Sequence, residues 1–212
     1  MTSRVAEVAQ VGKGYKVLEV ACGEAVTARF LARHLGCEAV GIDLSREQVF
    51  RAWEKVAKED LSHKVDFVQG DIESLPFINS SFDIVISECS FSLLPNKEVG
   101  AGELHRVLKP GGKLVITDVV LRGEISEELR SQVTFAFCIA GAKTLEGYIE
   151  LFENTGFTTY CVEDHSQELK RLAYQVISRG GWENLLHQPK EVWQRLFREG
   201  KPGYALIAMS KL

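Results

Sequence analysis

The residues of this chain that can do chemistry recur one strand apart. The short apolar run Lys16-Val17-Leu18-Glu19-Val20 leads into Ala21-Cys22-Gly23-Glu24-Ala25, a turn of mostly small residues. Such a turn lets a helix begin at once and aims its first backbone amides, the positive end of its dipole, at whatever lies above the strand. That is a ligand cradle. The next apolar run, Val40-Gly41-Ile42, ends in Asp43, at the separation where a carboxylate on a second strand receives the two hydroxyls of a ribose. Alanine at 21 and 25 keeps the backbone farther from a ligand than glycine would, which argues against a pyrophosphate in the turn. A third run ends in Gly70-Asp71-Ile72. Asp71 suits the amino group of an adenine, although a helix cap or a solvated turn acid has the same pattern. A fourth run ends in the polar cluster Ser87-Glu88-Cys89-Ser90.

Other reactive side chains are scattered. The five cysteines, at 22, 37, 89, 138 and 161, form no C-x-x-C pair and are odd in number, which fits neither a disulfide scaffold nor structural zinc. They read as reduced thiols filling core space. No metal site is expected. Glu88 and His165 are weak candidates for a base near neutral pH. His105 falls inside a helical run and reads as packed or solvated.

These residues need a scaffold that brings strand ends together. Strand one is Lys16 to Val20, followed by a helix from near Ala25 with Val26, Phe30, Leu31 and Leu35 at helical spacing. Strand two is Glu38 to Ile42. Ser45 caps a helix through Lys58 whose buried stripe is Val49, Ala52, Trp53 and Val56. Strand three is Lys64 to Gln69 and strand four Phe82 to Ile86. A helix from Asn96 to Val107 follows, then a Leu108-Lys109-Pro110-Gly111-Gly112 turn into strand five, Lys113 to Asp118. Alternating β and α elements imply a doubly wound parallel sheet with helices on both faces.

Two helical additions interrupt that alternation. Residues 123–141 carry Leu129, Val133 and Phe137 on one face, with Cys138 and Ala140 near the end. After a helix from Thr144 to Thr155 and a strand from Thr158 to Val162, residues 165–200 carry Leu169, Leu172, Val176, Trp182, Trp193 and Phe197. A last strand runs from Gly203 to Ser210. Both additions are expected to form an apolar cap over the active edge, confining a small acceptor and excluding water.

Composition bounds the partners. The 212 residues suit one domain, 1–212, with 45% hydrophobic and 25% charged residues, an ordinary balance for a globular chain. No apolar run approaches a membrane span. The first residues lack a basic segment followed by an apolar core, so a cytoplasmic location is expected. A net charge of -4, without a basic cluster interleaved with aromatics, argues against nucleic acid.

Five motifs in order, Val17-Leu18-Glu19-Val20-Ala21-Cys22-Gly23, Gly41-Ile42-Asp43, Gly70-Asp71, Phe82-Asp83-Ile84-Val85 and Leu108-Lys109-Pro110-Gly111-Gly112, resemble the class I S-adenosylmethionine-dependent methyltransferases over roughly residues 16 to 160. The resemblance implies a Rossmann-like seven-stranded sheet whose last strand is antiparallel, here with helical insertions after strands five and six. It implies S-adenosyl-L-methionine as cofactor across the carboxyl ends of strands one to four. By position, Glu19, Ala21, Cys22 and Gly23 match the cradle for its methionine portion, and Asp43 matches the ribose acid with Leu44 beside the adenine. Asp71 and Ile72 match the adenine contacts, and Ser87 and Glu88 the segment beside the methionine amino group. Glycine is usual where Ala21 and Ala25 stand. Residues 81–98 look like arsenite and quinone-ring methyltransferases, which act on small molecules. Cys138-Ile139-Ala140-Gly141-Ala142 looks like the stretch where arsenite enzymes place an arsenic-binding cysteine, Cys138 being the match. The alternatives are an arsenite methyltransferase-like activity, a non-catalytic cofactor-binding domain, and a dinucleotide-dependent oxidoreductase, which leaves Gly70-Asp71 and the late glycine turn without a role.

Overall fold

Four apolar runs, three of them ending in a polar or charged residue (Asp43, Gln69 and Glu88), lie side by side with their carboxyl ends along one edge of a single sheet. The computed structural model describes residues 1–132, 139, 141–171 and 190–212. Its strands are β1 (Lys16–Val20), β2 (Glu38–Asp43), β3 (Val65–Gln69), β4 (Phe82–Glu88), β5 (Leu108–Val120), β6 (Phe157–Asp164) and β7 (Gly203–Lys211). They order as β3-β2-β1-β4-β5-β7-β6. β1 to β5 pair in parallel, while β7 runs antiparallel to β5 and β6. The chain builds outward from β1 through β2 to β3 and then returns to β4. The carboxyl ends of β1 and β4 therefore flank the switch point, the crevice where open α/β sheets bind ligands.

The helices are α1 (Thr2–Ala9), α2 (Val26–Leu35), α3 (Arg46–Lys58), α4 (Lys97–Val107), α5 (Glu127–Gln132), α6 (Leu145–Asn154) and α7 (Lys190–Glu199). Successive strand residues point to opposite faces, and both faces are covered. On one, Leu18, Val85 and Leu114 pack with Leu104 of α4 and Phe152 of α6. On the other, Val17, Ile84 and Val115 pack with Val5 of α1 and Leu31 of α2. Double burial explains why these strands are near-continuous apolar runs rather than alternating ones.

Several expectations need correction. Of the four apolar positions at helical spacing in α2, Leu31 is buried but Val26 is 62% exposed, and the helix also buries Thr27, Ala28 and Ala32. Trp53 lies at the margin of the α3 stripe, edge-on to Phe67 at 5.2 Å and partly exposed. The Leu108–Gly112 stretch is a bulge within β5. Leu108 pairs with Phe82 and Lys113 with Ile84, so the intervening residues loop out, Gly111 taking φ 74°. α1 is an element that the sequence analysis did not anticipate.

Of the additions, α5 and α7 pack on the carboxyl end of β5, where Leu129 and Leu196 are buried among Val119, Leu121, Ile125 and Ile139. The amides of Arg122 and Gly123 both donate to Gly200 O, at 2.9 and 3.2 Å, tying the chain that leaves β5 to the end of α7. The inward positions of α7 are Val192 and Leu196; Phe197, expected among them, is 43% exposed. Val133, Phe137, Cys138, Ala140, Leu172, Val176, Trp182 and the side chain of Trp193 lie outside the described residues.

Candidate functional site

Left-handed backbone builds the turn between β1 and α2. Ala21 has φ 50°, Gly23 φ 50° and Ala25 φ 57°. An L-residue held there costs about 1–2 kcal/mol, so the surroundings must hold the two alanines. The Cys22 amide donates to Ile42 O (3.0 Å) and the Ala25 amide to Cys22 O (2.7 Å). Asp43 Oδ2 accepts the Gly23 amide at 2.8 Å, while its Oδ1 accepts the Ser45 amide at 2.9 Å. One carboxylate thus spans the turn after β1 and the start of α3. A Cβ added to Gly23 would meet nothing within 4 Å, so the space above the turn is open. Beside it Leu44 is 71% exposed.

Tight packing below this opening explains two of the glycines. A Cβ on Gly41 would lie 2.7 Å from the Phe67 ring and 2.8 Å from Cys22 Sγ. On Gly70 it would lie 2.7 Å from Ile42 Cδ1. Both glycines let strands and turn close up, which brings Asp43 to the Gly23 amide. Cys22 is buried, and burial pushes its thiol far above the usual range.

Two carboxylates close the side of the crevice between β1 and β4. Glu19, only 6% exposed, accepts the Ala28 amide of α2 at 2.8 Å. Burial pushes its carboxyl up to about 8, and nearby Glu88 pushes the same way. Glu88, half-buried at the end of β4, accepts the hydroxyl of Thr27, and that of Thr2 at 3.4 Å. Ser87 is buried, its hydroxyl 2.9 Å from that of Ser90. Cys89 follows at φ 52°. On the β3 side Asp71 is exposed and accepts the Glu73 amide at 2.9 Å, so it closes its own turn, and Ile72 is buried beside it.

The structure therefore brings Glu19, Ala21, Cys22, Gly23, Asp43, Leu44, Ser87 and Glu88 around one crevice, with Asp71 and Ile72 at its β3 side. Other residues lie elsewhere. His165 sits beyond β6, 2.9 Å from Glu163 Oε2, and the same carboxylate receives Arg4 of α1. His105 packs edge-on to Phe157 at 5.1 Å, and burial lowers its imidazole. Cys161 lies beside Glu163. Cys138 is outside the described residues. Asp83 and Lys109, from two of the five motifs, form a 2.7 Å ion pair at the opposite, amino-terminal edge, where Asp83 also accepts the Lys16 amide. Those motifs build the sheet rather than the crevice.

Three residues escaped the sequence analysis. Thr2 and Thr27 reach Glu88 from α1 and α2, and no spacing rule links them to it. Asp118, near the end of β5, is almost wholly buried and accepts the Ser92 amide (2.7 Å), the Ser92 hydroxyl (2.9 Å) and the Val119 amide (2.7 Å). Burial pushes its carboxyl up to about 6. An acid closing an apolar strand was the available signal, the same one that marked Asp43.

Comparison with known proteins agrees with this geometry. A family described as "Methyltransferase domain" matches residues 12–201. The chain is 32% identical to the methyltransferase GfsG of Streptomyces halstedii over 221 residues, spanning all of this chain and 79% of that protein. It is 31% identical to an arsenite methyltransferase of Halobacterium salinarum over 152 residues, 70% of this chain but only 39% of that protein. Among solved structures it is similar to the [4+2]-cyclase SpnF, with a TM-score of 0.78 and 27% identity over 99% of this chain and 79% of that one.

Proposed function

We propose, from the premise that this chain belongs to the S-adenosylmethionine-dependent methyltransferases, that the crevice at the ends of β1, β2 and β4 presents the cofactor's methyl group to a small-molecule acceptor lying over β4 and β5. The observation that carries this reading is the open turn at Gly23 facing Asp43, with exposed Leu44 alongside. Asp43 would take the ribose hydroxyls, Leu44 one face of the adenine, and Asp71 and Ile72 its edge. Glu19 and Glu88, with the Ala21-Cys22-Gly23 backbone and Ser87, would hold the methionine portion. Two neighbouring carboxylates, one of them kept neutral by burial, suit a cationic amino group, whose arrival favours the ionised form. The cofactor supplies a methyl group on a sulfonium, which departs as a neutral thioether. The chain's remaining task is alignment of the acceptor and exclusion of water. α5 and α7, packed at the end of β5, would do this.

The test is direct. S-adenosylhomocysteine at about a hundred times its Kd should stabilise the fold by about 2.7 kcal/mol, read as a rise in melting temperature, and NAD should give none. A rise with NAD alone would replace this reading with the oxidoreductase one.

A second reading, in which the chain binds the cofactor without transferring its methyl group, draws support from the likeness to SpnF only in that a [4+2]-cyclase shares this fold. Labelled S-adenosylmethionine with a panel of acceptors separates them, since a binder shows the thermal shift and no transfer. The arsenite reading rests on Cys138 and is tested by Cys138→Ser, which would abolish arsenite methylation. Cys89 and Cys161 do not supply a shared second ligand. They lie at strands three places apart in the sheet, about 14 Å at ordinary strand spacing.

A further inference from the structure

Among the described residues, the Glu88 carboxylate is held by two helices and by nothing in its own sheet. Its Oε1 accepts the hydroxyl of Thr27, in the first turn of α2, and that of Thr2, the first residue of α1, at 3.4 Å. The two hydroxyls lie 3.3 Å from each other. Each carries one proton, so when both point at the carboxylate the contact between them holds none. Thr117 stands beside Glu88 in register on β5, but its hydroxyl oxygen takes the Tyr204 hydroxyl at 3.0 Å. Both hydrogen bonds to the Glu88 side chain therefore fall on Oε1 and, among the described residues, none falls on Oε2.

Packing places both threonines for this. Thr27 is the one polar residue among those that α2 buries, with Ala28, Leu31 and Ala32, and is 3% exposed. A hydroxyl at that depth needs a partner. The next amide, that of Ala28, goes to Glu19 at 2.8 Å, so the start of α2 is shared between the two acids. Thr2 is carried by α1, whose Val5, Ala6 and Ala9 are buried with Val17, Ile84 and Val115 of the sheet. Arg4 reaches from the same turn to Glu163 of β6, its Nε donating to Oε1 at 3.0 Å and to Oε2 at 3.1 Å. The first turn of α1 is thus fixed beside the end of β4. Of the two acids there, Glu19 is buried and Glu88 is the more accessible.

We propose that Thr2 and Thr27 are positioning residues of the cofactor site, holding Oε1 of Glu88 and leaving Oε2 for the ammonium group of the cofactor's methionine portion. The first turn of α1 then belongs to that site, far though it is from any of the five motifs except through folding. A carboxylate oriented in advance spares the ligand the cost of ordering it. The inference rests on the reading that the crevice binds this cofactor, and deepens it by naming what holds the acid that meets the amino group.

The test is a calorimetric titration of S-adenosylhomocysteine and of its desamino analogue, which lacks only the α-amino group, into wild type, Thr27→Val, Thr27→Ser and Thr2→Val. Valine keeps the shape of threonine and removes the hydroxyl. Thr27→Val should weaken S-adenosylhomocysteine binding by about three- to tenfold, the cost of immobilising one free side chain on binding. Its affinity for the desamino analogue should stay within about twofold of wild type. Thr2→Val should lose less, about twofold, because its contact is longer, and Thr27→Ser, which keeps the hydroxyl, should stay near wild type. Thr27→Ala, in a stripe already rich in alanine, carries the test if Thr27→Val fails to fold. Folded Thr27 variants without the hydroxyl that bind S-adenosylhomocysteine as wild type does overturn the proposal, and so do equal losses for both ligands, which would make the hydroxyl mere packing. Wild-type protein that binds both ligands equally overturns it as well, since Glu88 would then hold no amino group. Wild-type protein that binds neither would instead overturn the methyltransferase reading itself.

Discussion

Over β1 and β2 the carboxyl edge is held by hydrogen bonds between residues close in sequence or on adjacent strands, such as Asp43 to the Gly23 and Ser45 amides. Over β5 it is held by apolar packing between segments far apart in the chain, with Leu129 of α5 and Leu196 of α7 meeting on Val119 and Leu121. The first half is small, polar and left-handed in its backbone. The second is a hydrophobic cluster. The difference teaches that one edge can separate two tasks. In the function proposed above, the cofactor would be recognised by short motifs, whereas the acceptor surface would depend on the helices laid over β5.

The largest expected effect breaks the second half alone. Leu196→Ala removes a fully buried side chain, and such truncations cost about 2–5 kcal/mol. Chemical denaturation should show that loss, while S-adenosylhomocysteine affinity of the folded fraction stays within about twofold. A tenfold affinity loss would show that the halves are one unit.

Glu19 probes the first half through pH. A buried acid with a raised value favours folding while neutral, so its contribution is present below about 4.5, and is lost as pH rises through about 8. Over that window the group lowers stability by about 1.4 kcal/mol per pH unit. Glu19→Gln should flatten the fall between pH 6 and 8.5, gaining most at the alkaline end. An unchanged slope would mean that Glu19 is not the titrating group.

A smaller effect with the opposite sign follows from the strained turn. Ala25→Gly relieves a left-handed alanine and should stabilise the protein by about 1 kcal/mol, seen as a higher melting temperature. Gly36→Ala, at φ 71° in the cap of α2, should destabilise by a similar amount. If Ala25→Gly destabilises instead, the turn is not under strain.

The same contrast explains what was legible beforehand. β1 to β4, Asp43 and the polar cluster at Glu88 could be read because a buried parallel strand is a run of apolar residues and the residue after it lies at the ligand edge. Asp83 and Lys109 were also visible as motif residues, but their partnership across 26 positions at the other edge was not. α1 was missed because it is short and buries only Val5, Ala6 and Ala9, small side chains stabilised by what they pack against. Val26 and Phe197 were placed inward by periodicity and are exposed, since a stripe's width depends on the partner surface.

The central claim is that Asp43 at the end of β2 holds the cofactor's ribose, and a two-way cycle tests it most directly. S-adenosylhomocysteine and its 2′,3′-dideoxy analogue are titrated calorimetrically into wild-type protein and Asp43→Ala. Removing the hydroxyls should weaken wild-type binding by about tenfold or more, as expected for hydrogen bonds to a carboxylate worth about 1.5–3 kcal/mol, and should make almost no difference in Asp43→Ala. Equal losses from the missing hydroxyls in both proteins would contradict the account, because the carboxylate would then have no part in holding the ribose.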